Sequence, residues 1–334
     1  MSNVAGEIYF IAEEPSLTAP QVRVKIGLVR ENKKNRDSND RLMDHQTGNP
    51  RSLVLVDAIK TARVSHVENS LHQRYASRRG IGEWFQLSKA ELDSAIVECN
   101  VLAKQQSVHL PIIQQAEALK HATRSDAIVT ATEESIQWHR SLLVAKESES
   151  VFVKLKNKYR KRIEETHDAG SDVSRYATFN RSRLRIDSWL LKNHKDAYED
   201  SKRPSRSESF VPKETDCAPA LEPDQIELAE EFSAKIAESN IQTGFDEVHR
   251  LYLATRRPSA IWREEKNLAT AHLKVLCGFN RGIEELCEWK TVVSRKFSAE
   301  IAEDKYPHLV QAHATIEVFG APSTRLRDGE ETGD

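Results

Sequence analysis

Two short alternating runs near the start constrain this chain most. Over residues 7–12, Ile8 and Phe10 fall on one face and Tyr9 and Ile11 on the other. Over 22–28, Val22, Val24, Ile26 and Leu28 point one way, Arg23 and Lys25 the other. A period of two specifies strands. The loop between them holds Pro15 and Pro20, and strands joined this way pair antiparallel. Residues 53–59 alternate as a third strand. Before it, Ser38 is placed to cap a short helix carrying Arg41 and His45 one turn apart on one face. Gly48 and Pro50 then stop that helix. A second helix over 65–77 has Val64, Val67, Leu71 and Tyr75 as its apolar stripe. Glu68 and His72 lie along the stripe's edge, and Ser65 with Glu68 reads as a capping box. Gly80 and Gly82 break the chain, residues 84–87 form a short extended piece, and Ser88 with Glu91 caps a third helix. This order predicts an α+β fold over 1–106: a small three-stranded antiparallel sheet with flanking helices.

The rest reads as mostly α-helical. A helical, basic region spans 107–200, with six basic residues among 154–162 and a second basic piece at Arg181, Arg183 and Arg185. With Tyr159, Tyr176 and Phe179 nearby, Lys154, Lys158, Arg160, Lys161, Arg183 and Arg185 are candidates for a nucleic-acid backbone; the plain reading is a solvated helix face. Residues 201–223, with Pro204, Pro212, Pro219 and Pro223, read as a linker. A helical, acidic region follows over 224–320, with Pro258 opening one helix and Ile283, Leu286, Trp289, Val293, Phe297 and Ile301 marking another. It suits a homo-oligomer contact or a protein partner. Residues 321–334 form an acidic tail. Residues 1–110 hold 15 Lys and Arg against 13 Asp and Glu, residues 111–203 hold 18 against 14, and residues 204–334 hold 16 against 24. A polyanion would therefore meet the first two-thirds more readily. No apolar run approaches the ~18 residues of a membrane span. The opening residues lack the basic start and apolar core of a secretory signal. The expectation is a cytoplasmic protein with no membrane association. Cys99, Cys217, Cys277 and Cys287 form no Cys-x-x-Cys pair, so neither a zinc ribbon nor a redox motif is indicated.

The N-terminal motifs resemble the GIY-YIG nuclease superfamily, and more closely its phage-type branch named for a T5 open reading frame and a meiotically up-regulated fungal gene. Gly6-Glu7-Ile8-Tyr9 is similar to the first motif and Val24-Lys25-Ile26-Gly27 to the second. Arg41-Leu42 with Gln46-Thr47-Gly48-Asn49-Pro50 resembles the branch's helix and turn. Glu68-x-x-Leu71-His72 and Gly82-Glu83-Trp84-Phe85 resemble its closing signatures. Glu7 departs from the apolar residue in the superfamily's name and should point outward or lie near the sheet edge. Lys25 stands where many members have a second tyrosine, as it does in this branch.

The resemblance implies a DNA endonuclease using Mg²⁺ (or Mn²⁺), with RNA as the other polymer and antiviral defence or mobile-element biology as the setting. Cutting a phosphodiester needs an aligned water, a proton acceptor and stabilisation of added negative charge. Glu68 is the metal carboxylate, since Mg²⁺ commonly takes one or two. Arg41 offers a planar fork for phosphate oxygens. Tyr9 aligns or activates the water, Lys25 is the cation expected to lower its pKa, and His45 shuttles a proton. Each also has a structural reading: Glu68 in a helix cap, Tyr9 in a half-buried strand, Arg41 and His45 on a solvated face, Lys25 exposed. The alternative functions are a catalytically weak or inactive nucleic-acid-binding or scaffolding protein, and a helical assembly factor.

Overall fold

The computed structural model describes residues 5–31, 36–47, 49–80, 82–120, 122–238, 244–315, 319–320 and 323–327. The N-terminal part runs β1 (Ala5–Glu13), β2 (Val22–Arg30), α1 (Ser38–Gln46), β3 (Leu53–Ala62), α2 (Val64–Arg74), β4 (Trp84–Leu87) and α3 (Lys89–Ser107). Its sheet has four strands rather than three, in the order β3-β1-β2-β4, all antiparallel. The short extended piece at Trp84–Leu87 supplies the fourth by pairing with β2, Lys25 opposite Trp84. One face carries Ile8, Phe10, Val24 and Ile26, buried against Val67 and Leu71 of α2 and Leu92, Ala95 and Cys99 of α3. Each such side chain contributes about 1.5–3 kcal/mol. The opposite face presents Tyr9 and Ile11, which pack with Leu42 of α1, Leu53 and Trp84.

Two caps differ from expectation. Asp37, not Ser38, is the N-cap of α1, in a capping box with Asp40. Ser38 is the first helical residue, and its hydroxyl donates to Glu7 Oε2 at 2.7 Å. Glu7 lies in the central strand and tethers the start of α1, rather than pointing outward. The Ser65–Glu68 capping box is absent. Helix α2 starts one residue earlier from Arg63, which takes the left-handed conformation at φ 48°, and Ser65 accepts a bond from Arg30. Glu68 is thereby released from any capping duty. The helix stop expected at Gly48 lies outside the described residues. Gln46 closes the turn, its amide donating to Asn49 O and Arg51 O and its carbonyl accepting from Leu53 N.

The second part runs α4 (Leu110–Leu119), β5 (Ile128–Val129), α5 (Glu133–Asp168), β6 (Ala177–Asn180), α6 (Ile186–Asn193), α7 (Lys195–Asp200), β7 (Lys202–Pro212), α8 (Pro223–Glu238) and α9 (Phe245–Cys277). It continues through β8 (Gly282–Ile283), β9 (Cys287–Phe297), α10 (Ala299–Lys305), α11 (Pro307–Thr315) and β10 (Ser323–Leu326). Helices α5 and α9 are antiparallel. Glu149 of α5 meets Arg263 and Lys266, while Tyr159, further along α5, bonds His249, earlier on α9.

Two expected features are replaced by a sheet ordered β5-β8-β9-β7. The linker expected at 201–223 contains strand β7; its Pro204 and Pro212 are tolerated because β7 is an edge strand. The helix expected over 283–301 contains β9, because residues four apart share a face in strands and helices alike. Pro258 sits inside α9 instead of opening a new helix. No helix among the described residues is long and apolar enough to cross a membrane.

The two parts meet where α9 packs on α2. The buried Arg63 guanidinium donates to Gln106 Oε1 at 2.6 Å and Glu265 Oε1 at 2.8 Å, and His66 Nε2 lies 2.9 Å from the same carboxylate. Burial pushes the Glu265 carboxyl up, but the His66 bond and the Arg63 charge prevail and bring it down to about 2. A depressed acid contributes stability above its unfolded value and loses it as pH falls through the folded one. Glu265→Ala leaves Arg63 buried without its counter-charge. The Glu265 side chain is 36% exposed, so solvent screens the pair and the expected loss at pH 7 is about 2 kcal/mol. Chemical denaturation should show this gap, narrowing as pH falls from about 4.5 towards 2; equal stability at pH 7 would contradict the pairing.

Candidate functional site

Tyr9 sits mid-strand in β1 opposite Gly27 of β2, and its ring lies across that glycine. A Cβ at position 27 would stand 2.4 Å from the phenol oxygen, so the absent side chain is what admits the ring. The phenol oxygen is 3.1 Å from His45 Nε2 on α1. Arg41, one turn before His45, lies on the same side and interacts with Tyr9. Its Nη1 donates to Asp44 at 3.1 Å, while its Nε is buried with no hydrogen-bond partner among the described residues. An orphaned guanidinium donor beside a strand tyrosine is a place for an acceptor such as a phosphate oxygen.

Lys25, on the same face of β2, is buried rather than exposed and donates to Glu83 Oε2 at 2.8 Å. It is therefore engaged by Glu83 and is not the cation that acidifies Tyr9. Burial pushes the phenol up to about 12, with Arg41 opposing and Glu83 and Glu68 adding to the rise. Tyr9 stays protonated at neutral pH and acts as a donor. Burial, with Lys25 and Arg41, holds the His45 imidazole below its usual value, so it is neutral and able to accept a proton. Burial raises Glu83 while Lys25 lowers it, and the lysine wins.

Glu68 projects from α2 with no hydrogen bond or ion pair among the described residues. Burial pushes its carboxyl up to about 7; Glu83 adds, and Arg30, Arg257 and Lys25 oppose. Tyr9, Lys25, Arg41, His45 and Glu68 thus fall within one electrostatic neighbourhood. Glu83 and Arg257 belong to it too, though sequence reasoning gave neither a role. Glu83 stood in a quoted motif, and pairing Trp84 with Lys25 would have brought an acid to that lysine. Nothing local signals Arg257, which is distant in sequence. His72 Nε2–H donates to Ile26 O, 2.8 Å away, and the ring packs on Phe85, a structural placement.

Among the described residues no three or more of His, Cys, Asp or Glu cluster as a metal cage. A single unpartnered hard carboxylate nevertheless fits Mg²⁺, which keeps several waters and takes substrate oxygens. Lys154, Lys158, Arg160 and Lys161 are exposed along α5, Lys161 3.8 Å from Glu165. Arg183 bonds His313 O and Arg185 pairs with Asp187 at 3.1 Å, so those two already have partners. The accompanying aromatics are already engaged: Tyr159 is core, Tyr176 stacks on Phe245 and Phe179 stacks on His167.

Comparison with curated proteins and with solved structures gives no match. Comparison with protein families does: residues 6–100 match the T5orf172 domain, which is associated with the GIY-YIG, nuclease-like superfamily.

Proposed function

We propose that this protein is a metal-dependent DNA endonuclease whose catalytic residues lie in the T5orf172-like domain. The observation that carries the reading is the meeting of three incomplete groups: the unpartnered Glu68 carboxylate, the orphaned Arg41 Nε and the Tyr9–His45 pair. Glu68 would hold Mg²⁺ or Mn²⁺. A bound divalent ion supplies Lewis acidity to a phosphoryl oxygen. Arg41 directs its Nε–H at a non-bridging oxygen, where negative charge grows in the transition state. Tyr9 aligns the attacking water; as its oxygen bonds to phosphorus and the P–O bond to the leaving sugar oxygen breaks, the water's proton reaches the phenol oxygen, the phenol proton passes to neutral His45 Nε2, and the leaving oxygen takes a proton from solvent. This relay needs no phenolate, in keeping with a phenol held near 12. Lys25, held by Glu83, joins burial and Arg41 in keeping His45 neutral.

The test is cleavage of supercoiled plasmid with Mg²⁺ or Mn²⁺, with single-stranded DNA and RNA in parallel. Wild type should cut DNA, and Arg41→Ala should cut about 10²–10³-fold more slowly. A wild type that binds DNA but cuts no substrate with either ion would replace this reading with the non-catalytic binder.

A further inference from the structure

We infer that Arg257, carried on α9, binds a backbone phosphate beside Glu68, so that substrate is gripped from both parts of the chain. The substrate class rests on the nuclease reading; the anion site does not. Contacts between α2 and α9 set the register. Arg63 and His66, early in α2, meet Glu265. Two turns earlier on α9, about 12 Å along its axis and on the same face, is Arg257. Further along α2 are Glu68 and His72, and both sense the Arg257 charge. The helices therefore run antiparallel here, and the arginine comes to lie at the edge of the candidate site. Glu83 and Arg79 are within its reach as well.

Arg257 is half-buried and makes no hydrogen bond or ion pair among the described residues. A guanidinium taken out of water without an acceptor is costly. Had its purpose been to neutralise Glu68, the two would have closed into an ion pair, yet the carboxylate also stands unpartnered. The Arg79 charge is also felt there, and like-charged neighbours disfavour one another. Burial, then Arg79, bring the Arg257 guanidinium down to about 10, against the pull of Glu68 and Glu83. The unused donors of Arg257, beside a carboxylate it does not close on, suit a ligand that brings its own anionic oxygens. A phosphodiester meets that description and accepts bidentate bonds from arginine.

The experiment measures binding of a fluorescent duplex oligonucleotide to the full chain in EDTA, over a series of salt concentrations. Wild type is compared with Arg257→Ala, Arg257→Gln and Arg250→Ala, the last altering an exposed arginine on the same helix. Arg257→Ala and Arg257→Gln should each weaken binding roughly tenfold, alike on unrelated sequences, and flatten the salt slope by about one. Arg250→Ala should stay within about twofold. Both Arg257 variants should melt no lower than wild type, since each removes a buried, unpaired charge. Binding by the Arg257 variants within about twofold of wild type, a loss equalled by Arg250→Ala, or no binding by any of them would overturn the inference. Wild type that binds through Arg257 yet cuts nothing would remove the nuclease reading and leave the phosphate site standing. Wild type that cuts DNA while Arg257→Ala binds and cuts equally well would do the reverse.

Discussion

Glu68→Gln is expected to abolish DNA cleavage and, above pH 7, to make the protein more stable. Glutamine keeps the size of the side chain but removes the anionic oxygen that would hold the metal, and the rate should fall roughly thousandfold or more. The stability gain follows from the raised pKa. The Glu68 carboxyl shifts from 4.5 to about 7, first through burial and then through Glu83. Between those values the folded chain holds a proton that the unfolded chain has lost. Stability therefore falls as pH rises through that window, by about 3 kcal/mol at most. The glutamine variant has no such loss. It should exceed wild type by roughly 2 kcal/mol at pH 8 and approach it below about pH 4, as seen by denaturant titration at both values. Wild-type cleavage should rise with pH as the carboxylate ionises, with the midpoint below 7 once the metal competes with the proton. Cleavage retained by Glu68→Gln, or a variant less stable than wild type at pH 8, would remove Glu68 from the metal role.

The parts of this site that the sequence disclosed are those set by local periodicity. Strands β1, β2 and β3, the Val64–Val67–Leu71 stripe of α2 and the Ser88–Glu91 cap all follow from spacing of two, of three to four, or from capping chemistry. What spacing cannot state is which elements become neighbours. The fourth strand was visible as an extended piece, but its pairing with β2, and so the Lys25–Glu83 bond, comes from tertiary assembly. The same holds for Arg63: no sequence rule announces a left-handed arginine before a helix, yet its bond to Glu265 sets the register that brings Arg257 to Glu68. Ser65 was misassigned because a capping box can be written one residue into a helix that has already begun. Strand β9 was misassigned because Trp289, Val293 and Phe297 are four apart, a spacing both periods satisfy.

Gly27→Ala is expected to disable the site from a position that takes no part in the chemistry. Gly27 has no positive φ, so alanine suits its backbone and the whole effect is steric. The new methyl would stand 2.4 Å from the Tyr9 oxygen, 2.5 Å from Cζ and 2.9 Å from Cε2. The ring cannot swing freely aside, because Ile11, Leu42, Leu53 and Trp84 surround it. Displacing it breaks the 3.1 Å contact with His45 and moves the phenol from Arg41. A misplacement of about 1 Å costs on the order of 10²-fold in rate, and overpacking costs about 1–3 kcal/mol in stability. A double-mutant cycle separates this from general damage to the strand. In a Tyr9→Ala background the methyl meets no ring, so Gly27→Ala should cost nothing further in rate and under about 0.5 kcal/mol in stability. Equal losses with and without the ring would mean that position 27 acts through the sheet alone, and that the phenol's place across the glycine does not decide activity.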